Sequence, residues 1–141
     1  MKTTKIISLL LLVFILGSCM PMKNSTNKIL FDNTWELEYL SGPRIAFGGL
    51  YPDKKPTITF NEVTKKVTGN NSCNGYNADY VMTGNQISFK EAGPTTMMYC
   101  GEGESFFLNT MKKVNAYKID DEGKLNLMIG DVPMMRFKKS N

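Results

Sequence analysis

The sequence predicts a mostly β, α+β fold: an antiparallel meander curled into a small, partly open barrel of about eight strands, with one helix packed over it. Three observations carry this expectation. Apolar and polar residues alternate with a period of two in several short segments. Polar turns rich in Gly, Asn and Asp separate those segments at close spacing. Only one segment holds an apolar stripe at helical spacing. With 141 residues, 42% hydrophobic and 21% charged, the chain suits one globular domain and is too short for two. No repeat of solenoid length appears.

Taken in order, Trp35, Leu37 and Tyr39 alternate with Thr34, Glu36 and Glu38, the pattern of a half-buried strand. Ile58 and Phe60 alternate with Thr57 and Thr59, and the polar link from Asn61 to Lys65 turns the chain towards Val67. Tyr80 and Met82 follow, then a turn at Thr83-Gly84-Asn85, then Ile87 and Phe89. Tyr117 and Ile119 form the next strand. Asp120-Asp121-Glu122-Gly123 turns it into Leu125, Leu127 and Ile129, and Gly130-Asp131-Val132-Pro133 leads to Met135 and Phe137. The helix is expected near Glu102 to Lys113. Phe107, Met111 and Val114 make one apolar stripe there, while Glu102 and Glu104 at its start and Lys112 and Lys113 at its end suit the helix dipole.

Residues 1–18 read as a lipoprotein signal peptide. Lys2 and Lys5 supply positive charge, and Ile6 to Leu16 is apolar except for Ser8. As a helix that run is roughly 16 Å long, about half a bilayer core, so it suits a signal peptide rather than a membrane span. Leu16-Gly17-Ser18-Cys19 looks like the lipobox of a bacterial lipoprotein. Small residues admit a peptidase, and the Cys19 thiol accepts the lipid. Acyl chains then anchor a domain without any transmembrane helix. The alternative is an ordinary secretory signal with a coincidental cysteine. Residues 19–30 read as a flexible tether and 31–139 as the folded domain. The expected location is the bacterial cell envelope, as a membrane-anchored lipoprotein of the outer membrane, on its periplasmic or surface side.

There is no histidine. That removes Ser-His-Asp and Cys-His catalysis and nearly all zinc sites, so no metal and no cofactor is expected. The formal charge of +4 includes Lys2 and Lys5, and the other basic residues are scattered apart from Arg136, Lys138 and Lys139. A nucleic-acid groove needs a concentrated basic face, so no nucleic-acid partner is expected. The methionine pairs Met97-Met98 and Met134-Met135 invite a copper(I) reading, but neighbours on a strand point to opposite faces, which favours core filling. Glu62, Asp120, Asp121, Glu122 and Asp131 sit in turns or on outward faces, with no deep cleft for a carboxylate pair, so the domain is expected not to be an enzyme.

The residues resemble the META domain, also called HslJ-like, found in bacterial envelope proteins. Its Trp-x-Leu strand is matched by Trp35-Glu36-Leu37, and its Thr-x-Phe strand by Thr57 to Phe60. Gly69 and Cys73-Asn74 match the next motif, and Thr96-Met97-Met98-Tyr99-Cys100 matches Thr-x-Met-x-Cys. Glu104, Phe107 and Met111 match the helix; Tyr117 to Ile119 and Leu125 to Leu127 match the ending. The resemblance covers roughly residues 30 to 138. Ser72 departs from it, since the family often has Gly before Cys-Asn. The resemblance implies a compact, mostly β, exported or lipid-anchored domain, linked to heat shock, drug tolerance or virulence but with no established chemistry.

Two features bear on function. Cys73 and Cys100 flank the same hairpin in an oxidising compartment, so a disulfide is expected, with inert or functional free thiols as alternatives. The long link Ser41 to Pro56 carries Arg44, Phe47 and Tyr51, which either form a recognition loop or cover the barrel mouth. Asn74, Thr96 and Met98 are expected to be structural: Asn74 and Thr96 through hydrogen bonds, Met98 by filling core. The reading is a non-catalytic, monomeric binding or stress-protective module, anchored to the membrane through its lipid. Its partner is an envelope protein, a peptide or a glycan. The alternatives are a lipid- or small-ligand-carrying barrel and a small hydrolase.

Overall fold

The computed structural model describes residues 28–94 and 98–140. The expected signal peptide 1–18, the lipid-attachment residue Cys19, most of the 19–30 tether, Thr96 and Met97 lie outside them. Among the described residues are nine strands: β1 (Thr34–Leu40), β2 (Thr57–Asn61), β3 (Lys66–Asn70), β4 (Gly75–Thr83), β5 (Gln86–Phe89), β6 (Gly93–Pro94), β7 (Ala116–Ile119), β8 (Leu125–Ile129) and β9 (Val132–Lys139). Helices α1 (Phe47–Leu50) and α2 (Gly103–Met111) lie between them, and 28–31 forms a helical turn.

The strands run in the order β3-β2-β1-β9-β8-β7-β5-β4, and β4 pairs back onto β3, closing an eight-stranded antiparallel barrel. The sequence suggested a partly open barrel. Closure depends on the length of β4: Gly75 to Asp79 pair with β3, and Tyr80 to Thr83 pair with β5. One strand therefore serves two successive neighbours, which alternation alone does not reveal. The narrowest seam is β5–β7, where the ladder holds the single pair Gln86↔Ala116. Only the flanking bonds from Ile87 N to Asn115 O (3.1 Å) and Tyr117 N to Asn85 O (2.9 Å) extend it.

The inward faces fill the barrel. Trp35, Leu37, Ile58, Val67, Leu125, Leu127, Met135 and Phe137 are all completely buried. Edge-on aromatic pairs, Phe60 with Tyr80 at 5.6 Å and Phe107 with Phe137 at 6.4 Å, occupy the interior. Tyr39 is the exception to the β1 alternation. A bulge between Leu37 and Tyr39, in the pairing of β1 with β9, turns Tyr39 outward, 45% exposed, and buries Leu40 instead. Outside, the Tyr39 ring lies 5.7 Å from the Arg136 guanidinium carbon.

Helix α2 and the 28–31 turn pack against this core. In α2, Phe107 and Met111 are buried as the apolar stripe requires, and Val114 just beyond its end is buried too. Phe107 also meets Tyr76, at 5.4 Å. The 28–31 turn corrects the tether boundary. Leu30 is fully buried and its carbonyl accepts the Trp35 indole N–H at 3.0 Å, so residues 28–30 belong to the domain. A buried indole needs an acceptor, and this turn supplies it.

The outer wall carries exposed ion pairs around β1 and β9. Glu38 accepts from Lys124 at 3.0 Å and from Arg136 at 2.9 Å. Hydrogen bonds to Glu38 and Glu122 raise the Lys124 ammonium above its ordinary range. In the β7–β8 turn, desolvation is the largest single influence on the Asp120 carboxyl and pushes it up. Bonds from the Lys124 amide, the Asn126 side chain and the Glu122 amide outweigh it and hold the group below its ordinary value. Asp120 is thus a turn clamp.

Candidate functional site: a disulfide-locked polar node

β3 ends at Asn70 because the chain must turn sharply before β4. Gly69 sits where a Cβ would collide with the Thr57 carbonyl, so the residue has to be glycine. The Tyr76 hydroxyl donates to that same carbonyl at 3.0 Å, and its burial pushes the phenol well above its ordinary pKa, keeping it a neutral donor. In the turn, Ser72 adopts φ 96°. That is the left-handed region, which a side chain resists and glycine accepts freely. Ser72→Gly is expected to stabilise the domain by about 1 kcal/mol by relieving this strain, read as a higher urea midpoint with an unchanged slope.

The turn builds a compact polar node. Asn71 and Asn74 are buried, and each binds one oxygen of Glu104 from the first turn of α2. Asn71 Nδ2 donates to Oε1 at 2.7 Å, and Asn74 Nδ2 donates to Oε2 at 2.7 Å. Asn74 also clamps the Met98 backbone, donating to its carbonyl at 2.6 Å and accepting from its amide at 2.9 Å. Within the turn, Asn71 Oδ1 accepts the Asn74 amide at 2.9 Å. The Cys73–Cys100 disulfide joins the same two stretches of chain, as the sequence reading expected. Two side chains and one cross-link therefore tie β4, the 98–100 stretch and α2 together.

Three expectations meet different outcomes here. Asn74 is structural in its contacts. Thr96 lies outside the described residues. Met98 does not fill core: its side chain is 63% exposed, and only its backbone is held. Hydropathy misplaced it because the clamp acts on peptide groups, which carry no side-chain signature. Sequence reasoning also missed Asn71 and did not pair Glu104 with it; the available signal was Asn-x-x-Asn in a turn joined by a disulfide to the start of an acidic helix.

The 41–56 link divides. Leu50 and Tyr51 are buried, and the Tyr51 hydroxyl donates to Gly103 O at 2.9 Å. Burial raises the Tyr51 phenol far above its ordinary value, which suits this permanent donor. A Cβ on Gly103 would strike the Leu50 carbonyl and the Tyr51 ring, so the start of α2 seats flush on the link. Phe47 is half-buried with its ring 5.1 Å from Tyr51. Arg44 and Ile45 stand exposed. Tyr51 and Phe47 thus cover the core, and Arg44 is not drawn into a site with them.

A groove of about 500 Å³ runs along the β4–β5 hairpin, lined by Val81, Thr83, Gln86 and Ser88 with Asn115 and Asp131. A second, of about 290 Å³, lies between α2 and residues 90–92. Among the described residues, no three His, Cys, Asp or Glu side chains converge as metal ligands, and no helix is long and apolar enough to cross a membrane.

A closed antiparallel barrel covered by one main helix, with a disulfide pinning the segment before that helix to the β3–β4 turn, defines a class of small single-domain β proteins. Comparison places it further. The META domain matches residues 28–141, and the chain belongs to that family, whose function is uncertain. Among solved structures it is similar to a protein from Burkholderia xenovorans determined by NMR, with a TM-score of 0.61 and 20% identity over 89% of this chain and 94% of that one. That likeness supports the fold. A comparison with curated proteins returned no match.

Proposed function

We propose that the protein is a lipid-anchored envelope protein whose META domain is a non-catalytic binding or stress-protective module. The supporting observation is the packed interior. Trp35, Phe60, Phe89 and Phe137, which would have to line the void of a carrier barrel, all belong to one buried core cluster that includes Phe107 of α2, and neither groove is lined by any of them. Recognition then falls to the outer surface, where an envelope protein, peptide or glycan would dock. The signal-peptide pattern of residues 1–18, followed by the lipobox cysteine Cys19, supports the anchor.

The anchor is tested by Cys19→Ala. The variant should accumulate as unprocessed precursor without acyl mass, while the wild-type protein enters the detergent phase on partitioning. Wild-type protein that stays aqueous removes the anchor. The module reading is tested by crosslinking the native protein in its own envelope. A specific partner lost on Arg44→Glu supports it, whereas a co-purifying lipid inside the barrel favours the carrier.

A further inference from the structure

Asn74 is followed directly by Gly75. An Asn-Gly pair is chemically the most labile of asparagine contexts, because glycine has no side chain to hinder attack by its own amide nitrogen on the preceding carboxamide. Here that labile pair sits at the centre of the node. We propose that Asn74 is a latent deamidation site, held closed by the Cys73–Cys100 disulfide, so that reducing the cross-link exposes the domain to an irreversible covalent change.

The chemistry requires movement that the fold denies. The Gly75 nitrogen must approach Asn74 Cγ, forming a C–N bond and a cyclic imide as the carboxamide nitrogen leaves as ammonia. Water then opens the imide to aspartate or isoaspartate. In the folded chain the Asn74 side chain is 2% exposed, and its amide group is fixed by Glu104, the Met98 carbonyl and the Met98 amide. Gly75 is fixed as well, opposite Asn70 in the β3–β4 ladder. Neither partner can rotate towards the other without breaking these bonds.

The cross-link adjoins both sides of this clamp. Cys73 precedes Asn74, and Cys100 follows Met98 by two residues. Cys100 is exposed, so a thiol reductant can reach it. Exchange with a dithiol oxidises that reagent to its own disulfide and delivers two electrons and two protons, leaving Cys73 and Cys100 as thiols. Residues 73–74 and 98–100 are then joined by non-covalent contacts, the Asn74 bonds and the approach of Cys73 Sγ to the Met98 carbonyl at 3.4 Å, which open locally far more readily than a covalent link. The product makes the change one-way. An aspartate at 74 faces the Glu104 carboxylate, which Asn74 contacts at 2.7 Å, so two carboxylates meet where an amide donated.

The test incubates the native protein at mildly alkaline pH, oxidised or with a small dithiol, and measures Asp and isoAsp at position 74 by peptide mass spectrometry. Backbone amide exchange is followed alongside. Reduction should raise the rate at Asn74 by about tenfold or more, while Leu37 and Leu127 amides stay protected and Met98 loses protection. Deamidation that is equally fast in the oxidised protein, or equally slow after reduction, overturns the proposal. So does loss of barrel protection in step with Met98, since the site would then open only by global unfolding. A folded Cys73→Ser/Cys100→Ser variant should deamidate at the reduced rate without any reagent; the oxidised wild-type rate in that variant overturns it too.

Discussion

Phe107→Ala is expected to destabilise the domain by about 3–5 kcal/mol, the range for deleting a buried aromatic ring. The ring is completely buried and makes contact with Tyr76 at 5.4 Å and Phe137 at 6.4 Å, so it joins α2 to strands on both sides of the barrel. These partners sit in long ladders that cannot collapse inward to fill the space, which puts the cost at the upper part of that range. Short helices contribute little on their own, and α2 has nine residues with no side-chain cap at its start. Its anchoring therefore depends on Phe107, Met111 and the node. Chemical denaturation with matched slopes measures the loss. A shift below about 1 kcal/mol would mean that α2 rests on the node and the 41–56 link alone.

The balance between packing and polar anchoring also explains what the sequence discloses. Period-two alternation located the strands because each wall residue faces either a packed interior or water, and side-chain chemistry records that choice directly. The stripe of Phe107, Met111 and Val114 was legible for the same reason. Tyr39 was not, since one bulged residue reverses the alternation without leaving a compositional mark. Barrel closure was not legible either: it depends on β4 pairing with β3 over its first half and β5 over its second, a non-local choice of register. The node divides in the same manner. The cysteines suggested their pairing by flanking one hairpin in a chain expected to be exported, but Asn71 and Glu104 are 33 positions apart and meet only once the fold exists. Arg44, Phe47 and Tyr51 shared a loop, and burial then separated them, because an aromatic beside a barrel mouth gains more by covering it than by facing solvent.

Removing the cross-link with Cys73→Ser/Cys100→Ser is expected to cost about 3.5 kcal/mol, the chain-entropy value for a loop of this length. The cysteines are 27 positions apart, enclosing β4, β5 and β6. For a domain of this size the loss corresponds to a fall in Tm of roughly 10–20 °C. The native contacts around the cross-link are expected to survive its loss. Asn74 holds the Met98 backbone by two bonds and Glu104 by one, so the 98–100 stretch keeps its native position as the dominant state when the sulfurs no longer join, although it opens locally more often. The double variant is therefore expected to fold, with its native spectrum retained and its stability lowered through the unfolded chain. Comparing it with wild type in the presence and absence of reductant isolates the effect: reductant should lower the wild-type Tm to that of the variant and leave the variant unmoved. Equal Tm values without reductant would mean that the polar node, rather than the cross-link, restricts this loop. Substituting Asn74 in the same background would then produce the larger loss.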